Sequence, residues 1–111
     1  MNEKIAHSSR IEALENIRLK HSGNDAGTQS KRLLEAMQAL GGISTIEANR
    51  YLDILHPPAR KLNLIEAGHI VTLAWVYETS GCGNIHRVGK YVYMGEASYP
   101  LFDGLDDEVP T

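Results

Sequence analysis

The segment 42–70 restricts the possible folds of this chain more than any other part of the sequence. Glu47 stands three residues after Ser44, as a helix-opening capping box requires. After a short turn, Pro57 can occupy the first turn of a second helix, and Gly68 can end it. Apolar, β-branched residues follow at once. This order predicts two short helices joined by a tight turn, the second leading directly into a strand.

Two further helices are predicted before this segment. Thr28 is a suitable N-cap for a helix over 29–40, whose apolar side chains recur on one face and which two glycines end. Closer to the N-terminus, Ile11, Leu14 and Ile17 predict an amphipathic helix over roughly 4–20. Its apolar stripe has to dock either on the core of the same chain or on another copy.

Two strands are predicted after Gly68. Residues 69–77 and 87–94 are rich in β-branched and aromatic residues, and 78–86 has the composition of a hairpin tip. Trp75 and Tyr77 share one strand face with Val71 and Leu73, so the aromatic residues of both strands are expected to cover the core from the sheet side. Stacking on single-stranded nucleic acid is the alternative. Together these elements predict an α+β winged helix-turn-helix: a three-helix core plus a two-stranded β-hairpin wing, with an additional N-terminal helix and an irregular acidic C-terminal tail.

The expected organisation has three parts: an N-terminal helix and linker (1–27), the winged helix-turn-helix domain (28–95), and a flexible acidic tail (96–111). The net charge of −3 lowers the expectation of nucleic-acid binding. However, the tail contains five acidic residues and no basic one, so the rest of the chain is slightly basic. A single cysteine cannot form an internal disulfide, which fits the reducing cytoplasm. The sequence has no signal-peptide core and no apolar run long enough to span a membrane, so we expect a cytoplasmic protein without a membrane partner.

Four segments carry a family resemblance: residues 43–48, the box Leu55-His56-Pro57-Pro58-Ala59-Arg60, the later Gly68-His69, and residues 86–92. Together they resemble a small winged helix-turn-helix family of bacteria, phages and prophages. The resemblance covers roughly residues 28–94. It implies DNA binding, and a role in prophage regulation. Two positions depart from the family pattern: Lys61 replaces an aliphatic residue, and Ile65 replaces a basic one.

Arg60 and Asn63 are the candidate base-reading residues. When the third core helix, 57–67, is projected at about 100° per residue, Arg60 and Asn63 fall on one arc. The opposite arc, expected to face the core, contains Pro58, Leu62, Leu64 and Ile65. An outward guanidinium can bind two acceptors of one guanine, and an amide can read adenine. The structural alternative is that Arg60 forms a surface ion pair.

Other basic residues are candidate phosphate contacts. His56, which precedes the same helix, can meet a phosphate or simply flank the first turn. Lys61 and Arg50 are candidates for non-specific contacts, with surface solvation as the alternative. Arg87 and Lys90 flank the wing tip, where basic residues reach the DNA backbone or minor groove.

The sequence indicates neither an enzyme nor a cofactor. The five histidines and Cys82 show no paired metal-ligand spacing, the glycines around Cys82 do not lead from a strand into a helix, and nothing implies a small-molecule ligand. Cys82 near His86 lies on a hairpin tip, which gives a nucleophile no rigid support.

The predicted function is therefore binding of double-stranded DNA by a phage- or prophage-type transcriptional regulator. A homodimer formed through the N-terminal helix is the expected assembly. The alternative is a protein–protein interaction module, such as a phage accessory or inhibitor protein, that does not bind DNA. The overall acidity is compatible with that alternative.

Overall fold

The structure, a computed structural model, describes residues 3–97, with side chains from residue 8 onward. Within this range it contains four helices and three strands. In chain order they are α1 (Glu3–Lys20), α2 (Ala26–Leu40), β1 (Ile43–Ser44), α3 (Thr45–Tyr51), α4 (Pro57–Glu66), β2 (His69–Thr79) and β3 (Ile85–Glu96). The predicted α+β winged helix-turn-helix with an additional N-terminal helix is confirmed.

The sheet is antiparallel and has the strand order β1-β3-β2. The short β1 pairs Ile43 with Tyr91, so the wing hairpin is attached to the helical layer through β3. The hairpin is longer than predicted at its tip: Thr79 still pairs with Ile85, and the amide of Ser80 donates to the carbonyl of Asn84 at 2.8 Å. The wing is therefore a ribbon of 11- and 12-residue strands.

The apolar stripe of α1 belongs to the core of this chain. Leu14 is fully buried and Ile17 is 7% exposed, in one cluster with residues of α2, β1 and β3. Of the two alternatives for this stripe, the structure shows docking on the chain's own core. The homodimer through the N-terminal helix stays a prediction, but the buried Leu14 and Ile17 are not available to it.

Arg10 connects α1 to the capping box of α3. Its guanidinium donates to both carboxylate oxygens of Glu47, at 2.7 and 3.0 Å, and to the carbonyl of Gly42 at 2.6 Å. Glu47 in turn accepts from the amide of Ser44, whose hydroxyl accepts from the Glu47 amide, so the predicted capping box is present. Burial opposes ionisation of Glu47, but the hydrogen bonds from Arg10 and Ser44 outweigh it and lower the pKa of this carboxyl.

Arg32 of α2 forms a second buried connection between elements. It is only 2% exposed, and it donates to the carbonyls of His21, Gly23 and Asp53. The cation therefore joins the α1–α2 linker to the α3–α4 turn. In that turn Asp53 has a φ of 55°, in the left-handed region.

The start of α2 differs from the prediction. Asp25, not Thr28, is the N-cap of α2, because Thr28 donates through its amide and its hydroxyl to the Asp25 carboxylate. The helix consequently begins at Ala26.

The predicted acidic tail, 96–111, lies outside the described residues except for Glu96, which ends β3, and Ala97, whose amide donates to the carbonyl of Gly68 at 2.8 Å.

Candidate nucleic-acid interface

α4, the second helix of the helix-turn-helix, is rotated relative to the sequence prediction. Pro57 and Leu64 are buried and define its inner side, and Gly68, with a φ of 102°, follows its end as predicted. Pro58 is exposed and Leu62 is 52% exposed, although both were predicted to face the core. The projection averages the directions of all apolar side chains, whereas the actual buried side is set by the contacts of α4 with α2 and with the sheet.

Arg60 and Asn63 do not point freely outward, so this part of the prediction is wrong. Both side chains are half-buried. Asn63 lies against α2, where its side-chain oxygen accepts from the Ser30 hydroxyl at 3.4 Å. On the helix Arg60 falls between Asn63 and Leu64, and its Nε is buried without a hydrogen-bond partner among the described residues. The side of α4 that carries both residues is therefore turned toward α2.

A groove lies between α4 and the wing. It has a cavity volume of about 410 Å³. Its walls combine apolar, aromatic and basic side chains of α4, β2 and β3 with the start of α3: Thr45, Pro58, Lys61, Leu73, Trp75, Arg87, Val88, Gly89 and Tyr91. Gly89 allows Leu73 to pack closely over β3, since a Cβ at this position would lie 2.7 Å from a terminal carbon of Leu73 and would displace that side chain.

Two cations of this groove lie over aromatic rings. The Arg87 guanidinium carbon is 4.4 Å from the Trp75 ring centre, and the Lys61 ammonium is 5.5 Å from the Tyr91 ring centre. Neither cation has a carboxylate within ion-pair distance among the described residues. Burial raises the pKa of Tyr91. The charges are held in place while their N–H groups remain available to an anion.

The outer half of the wing exposes its aromatic residues. Tyr91 is 3% exposed and Tyr93 packs against the core, as predicted. Trp75 and Tyr77 are 55% and 74% exposed, so the prediction that they cover the core is wrong. The alternation of side chains along a strand identified their shared face correctly. It did not show that the ribbon extends beyond the helices that cover its base.

The remaining candidate residues are scattered around this groove. His56 is exposed at the N-cap of α4 and makes no side-chain capping hydrogen bond. Arg50 is exposed near Gly81 at the wing tip, in a region that also contains Glu78. Lys90 packs over Gly42, next to β1, and therefore lies on the opposite face of β3 from Arg87.

Lys61 and Arg87 were predictable from the sequence as separate phosphate contacts, but the groove that brings them together was not. The missing members were Trp75, Leu73 and Gly89. The alternation of β2 did place Leu73 and Trp75 on one face, which was the available signal. The contact between that face and α4 joins distant parts of the chain and is not readable from local patterns.

The described part of the chain contains no group of three potential metal-ligating side chains. Cys82 is exposed at the wing tip, where hydrogen bonds from the Ser80 hydroxyl and the Asn84 backbone lower the pKa of its thiol. Among helices within 3–97, none is long and apolar enough to cross a membrane.

Comparison with known proteins identifies the family. The sequence profile of a winged helix-turn-helix domain family matches residues 28–96, and the chain belongs to this family. Winged helix-turn-helix domains are typically non-enzymatic DNA-binding domains. No curated protein and no solved structure shows significant similarity to this chain.

Proposed function

We propose that this protein binds double-stranded DNA with the groove between α4 and the wing. The observation that carries the proposal is the pair of unneutralised cations, Lys61 and Arg87, held over aromatic rings on the two walls of one groove. Cations on a helix and on a wing can contact phosphates of the DNA backbone and position the protein on the duplex. Arg50 near the wing tip would add a further phosphate contact.

The salt dependence of binding tests this proposal. Three phosphate contacts predict that the affinity falls about 40-fold between roughly 50 and 200 mM salt. Fluorescence anisotropy with a labelled duplex measures this slope. We expect Arg87→Ala and Lys61→Ala each to reduce the slope of log affinity against log salt concentration by about 0.9, the contribution of one phosphate contact. Lys31→Ala is the matched control, since Lys31 is exposed on α2 outside the groove. Equal slopes for all four proteins would refute the assignment.

Arg60 and Asn63 have a different role in this proposal from the one predicted. A bidentate base contact needs an extended, solvent-facing side chain, whereas Asn63 contacts Ser30 and Arg60 has a buried Nε. We therefore expect selection from a random duplex pool to enrich the same sequences with Arg60→Ala as with the natural chain. A lost motif in the variant would restore Arg60 as a base-reading residue.

The finer role, transcriptional regulation of a phage or prophage type, is supported by the family resemblance of segments 43–48 and 55–60. The same pool selection tests it. A regulator is expected to enrich a defined motif, whereas a protein that contacts only the backbone enriches none.

A protein–protein interaction module is the second candidate function. Leu62, Leu73 and Trp75 expose about half of their surface around the groove, which suits an apolar partner as well as DNA. If labelled duplex is not bound even near 50 mM salt, the groove is assigned to a protein partner instead.

A further inference from the structure

The outer edge of β2 has no strand partner among the described residues. In the order β1-β3-β2 this strand pairs with β3 alone. β2 has 11 residues, about twice the usual strand length. Its free edge presents backbone N–H and C=O groups that can pair with another strand.

β2 also lacks the residues that normally protect a free edge. Between Ile70 and Tyr77 it contains no charged residue, proline or glycine. Its one register irregularity is confined to the base, between Ile70 and Val71. The outer part of β3, in contrast, carries Arg87 and Gly89. Of the two strands of the wing, β2 is the one suited to pairing.

We propose that β2 pairs antiparallel with β2 of a second copy of this chain, around a two-fold axis at Ala74. Ala74 is the central residue of the strand. About ten backbone hydrogen bonds would form along its length. The two three-stranded sheets would join into one.

The sequence of β2 is self-complementary in this register. Leu73 of one copy lies opposite Trp75 of the other, so the exposed indole ring gains an exposed apolar neighbour. Val71, which is largely buried in its own core, lies opposite Tyr77. The acidic Glu78 lies opposite Ile70, and no two like charges face each other. This self-complementarity argues for a second copy rather than an unrelated strand.

Lys61 and Arg87 do not contribute to the edge, whereas Leu73 and Trp75 belong both to the edge and to the groove wall. Dimerisation is therefore measured without DNA, so that its failure is distinguishable from a failure of DNA binding. The two-fold axis of the proposed dimer is perpendicular to the joined sheet. Both copies of the groove therefore lie on the same side.

Sedimentation of the full chain without DNA tests the assembly. Ala74→Glu is the disrupting variant: within one chain the new carboxylate lies beside Lys90, its partner in the register, which favours folding. Across the axis two carboxylates would face each other. The natural chain is expected to dimerise with rising concentration, and Ala74→Glu is expected to remain monomeric. Met94→Glu, at a 60% exposed position on β3, is the matched control and should dimerise normally. Thermal melting verifies that all three proteins are folded.

Cross-linking tests the register. In a Cys82→Ser background, Ala74→Cys places two thiols directly opposite each other, whereas Tyr77→Cys places them about 20 Å apart. A short bifunctional maleimide should therefore couple the first variant and not the second. The proposal is overturned if the natural chain stays monomeric at about 100 µM, if Ala74→Glu still dimerises, or if Tyr77→Cys cross-links as readily as Ala74→Cys.

Discussion

Replacement of Arg10 by alanine is expected to lower the free energy of unfolding by about 2–3 kcal/mol. The side chain makes two short contacts with Glu47 and donates to the carbonyls of Gly42 and Leu40. Breaking a fully buried ion pair costs about 3–5 kcal/mol. The Arg10 and Glu47 side chains are 27% and 15% exposed, so water replaces part of the lost interaction and the expected value falls below that range.

Thermal and urea unfolding monitored by circular dichroism measure this loss. A decrease of 2–3 kcal/mol corresponds to a melting temperature lower by about 10–20 °C. Arg18→Ala is the control on the same helix, because Arg18 makes no ion pair among the described residues, and it should change stability by less than about 0.5 kcal/mol. Glu47→Gln retains a residue suited to the capping box. A double-mutant cycle with Arg10→Ala and Glu47→Gln should give a coupling of about 1–2 kcal/mol. Equal melting of Arg10→Ala and Arg18→Ala would refute the reasoning.

Three further predictions concern the same scaffold. The folded-state pKa of Glu47 is lowered, so its ionised form stabilises the protein above the unfolded-state pKa of about 4.3. This contribution is lost as the pH falls through the folded-state pKa. Acid titration should therefore show a steeper loss of stability for the natural chain than for Glu47→Gln. Leu14→Ala should cost about 2–5 kcal/mol in urea unfolding, whereas Leu19→Ala, at a 64% exposed position of the same helix, should cost less than about 0.5 kcal/mol; similar costs would contradict the docking of α1 on the core. Asp53→Ala should cost about 1–2 kcal/mol because of the left-handed backbone, and Asp53→Asn should melt close to the natural chain; the reverse order would be inconsistent with this explanation.

Secondary structure was largely predictable from the sequence, because its signals act over a few residues. Ser44 and Glu47 lie three positions apart and form the predicted capping box. Gly41 follows α2 with a φ of 86°, and Gly68 follows α4 in the same left-handed region, as expected for helix ends. The hairpin followed from β-branched and aromatic composition. These local choices were enough to specify a winged helix-turn-helix.

Side-chain orientation was not predictable in the same way. The Arg10–Glu47 contact spans 37 positions, and the Asn63–Ser30 contact spans 33. No local pattern encodes such pairs. A helical projection predicts which residues share a side, but the buried side depends on where neighbouring elements pack. For this reason the predicted outward orientation of Arg60 was wrong.

The sequence by itself determined the order of helices and strands, their caps, and the apolar residues available for a core. Only the tertiary structure decided that the stripe of α1 lies within this core, that the wing extends beyond it, and that Lys61 and Arg87 face one groove. The physical reason is the separation along the sequence over which each effect acts. Helix caps, turns and strand alternation depend on residues close in sequence, whereas burial and the juxtaposition of charges arise when distant segments pack together.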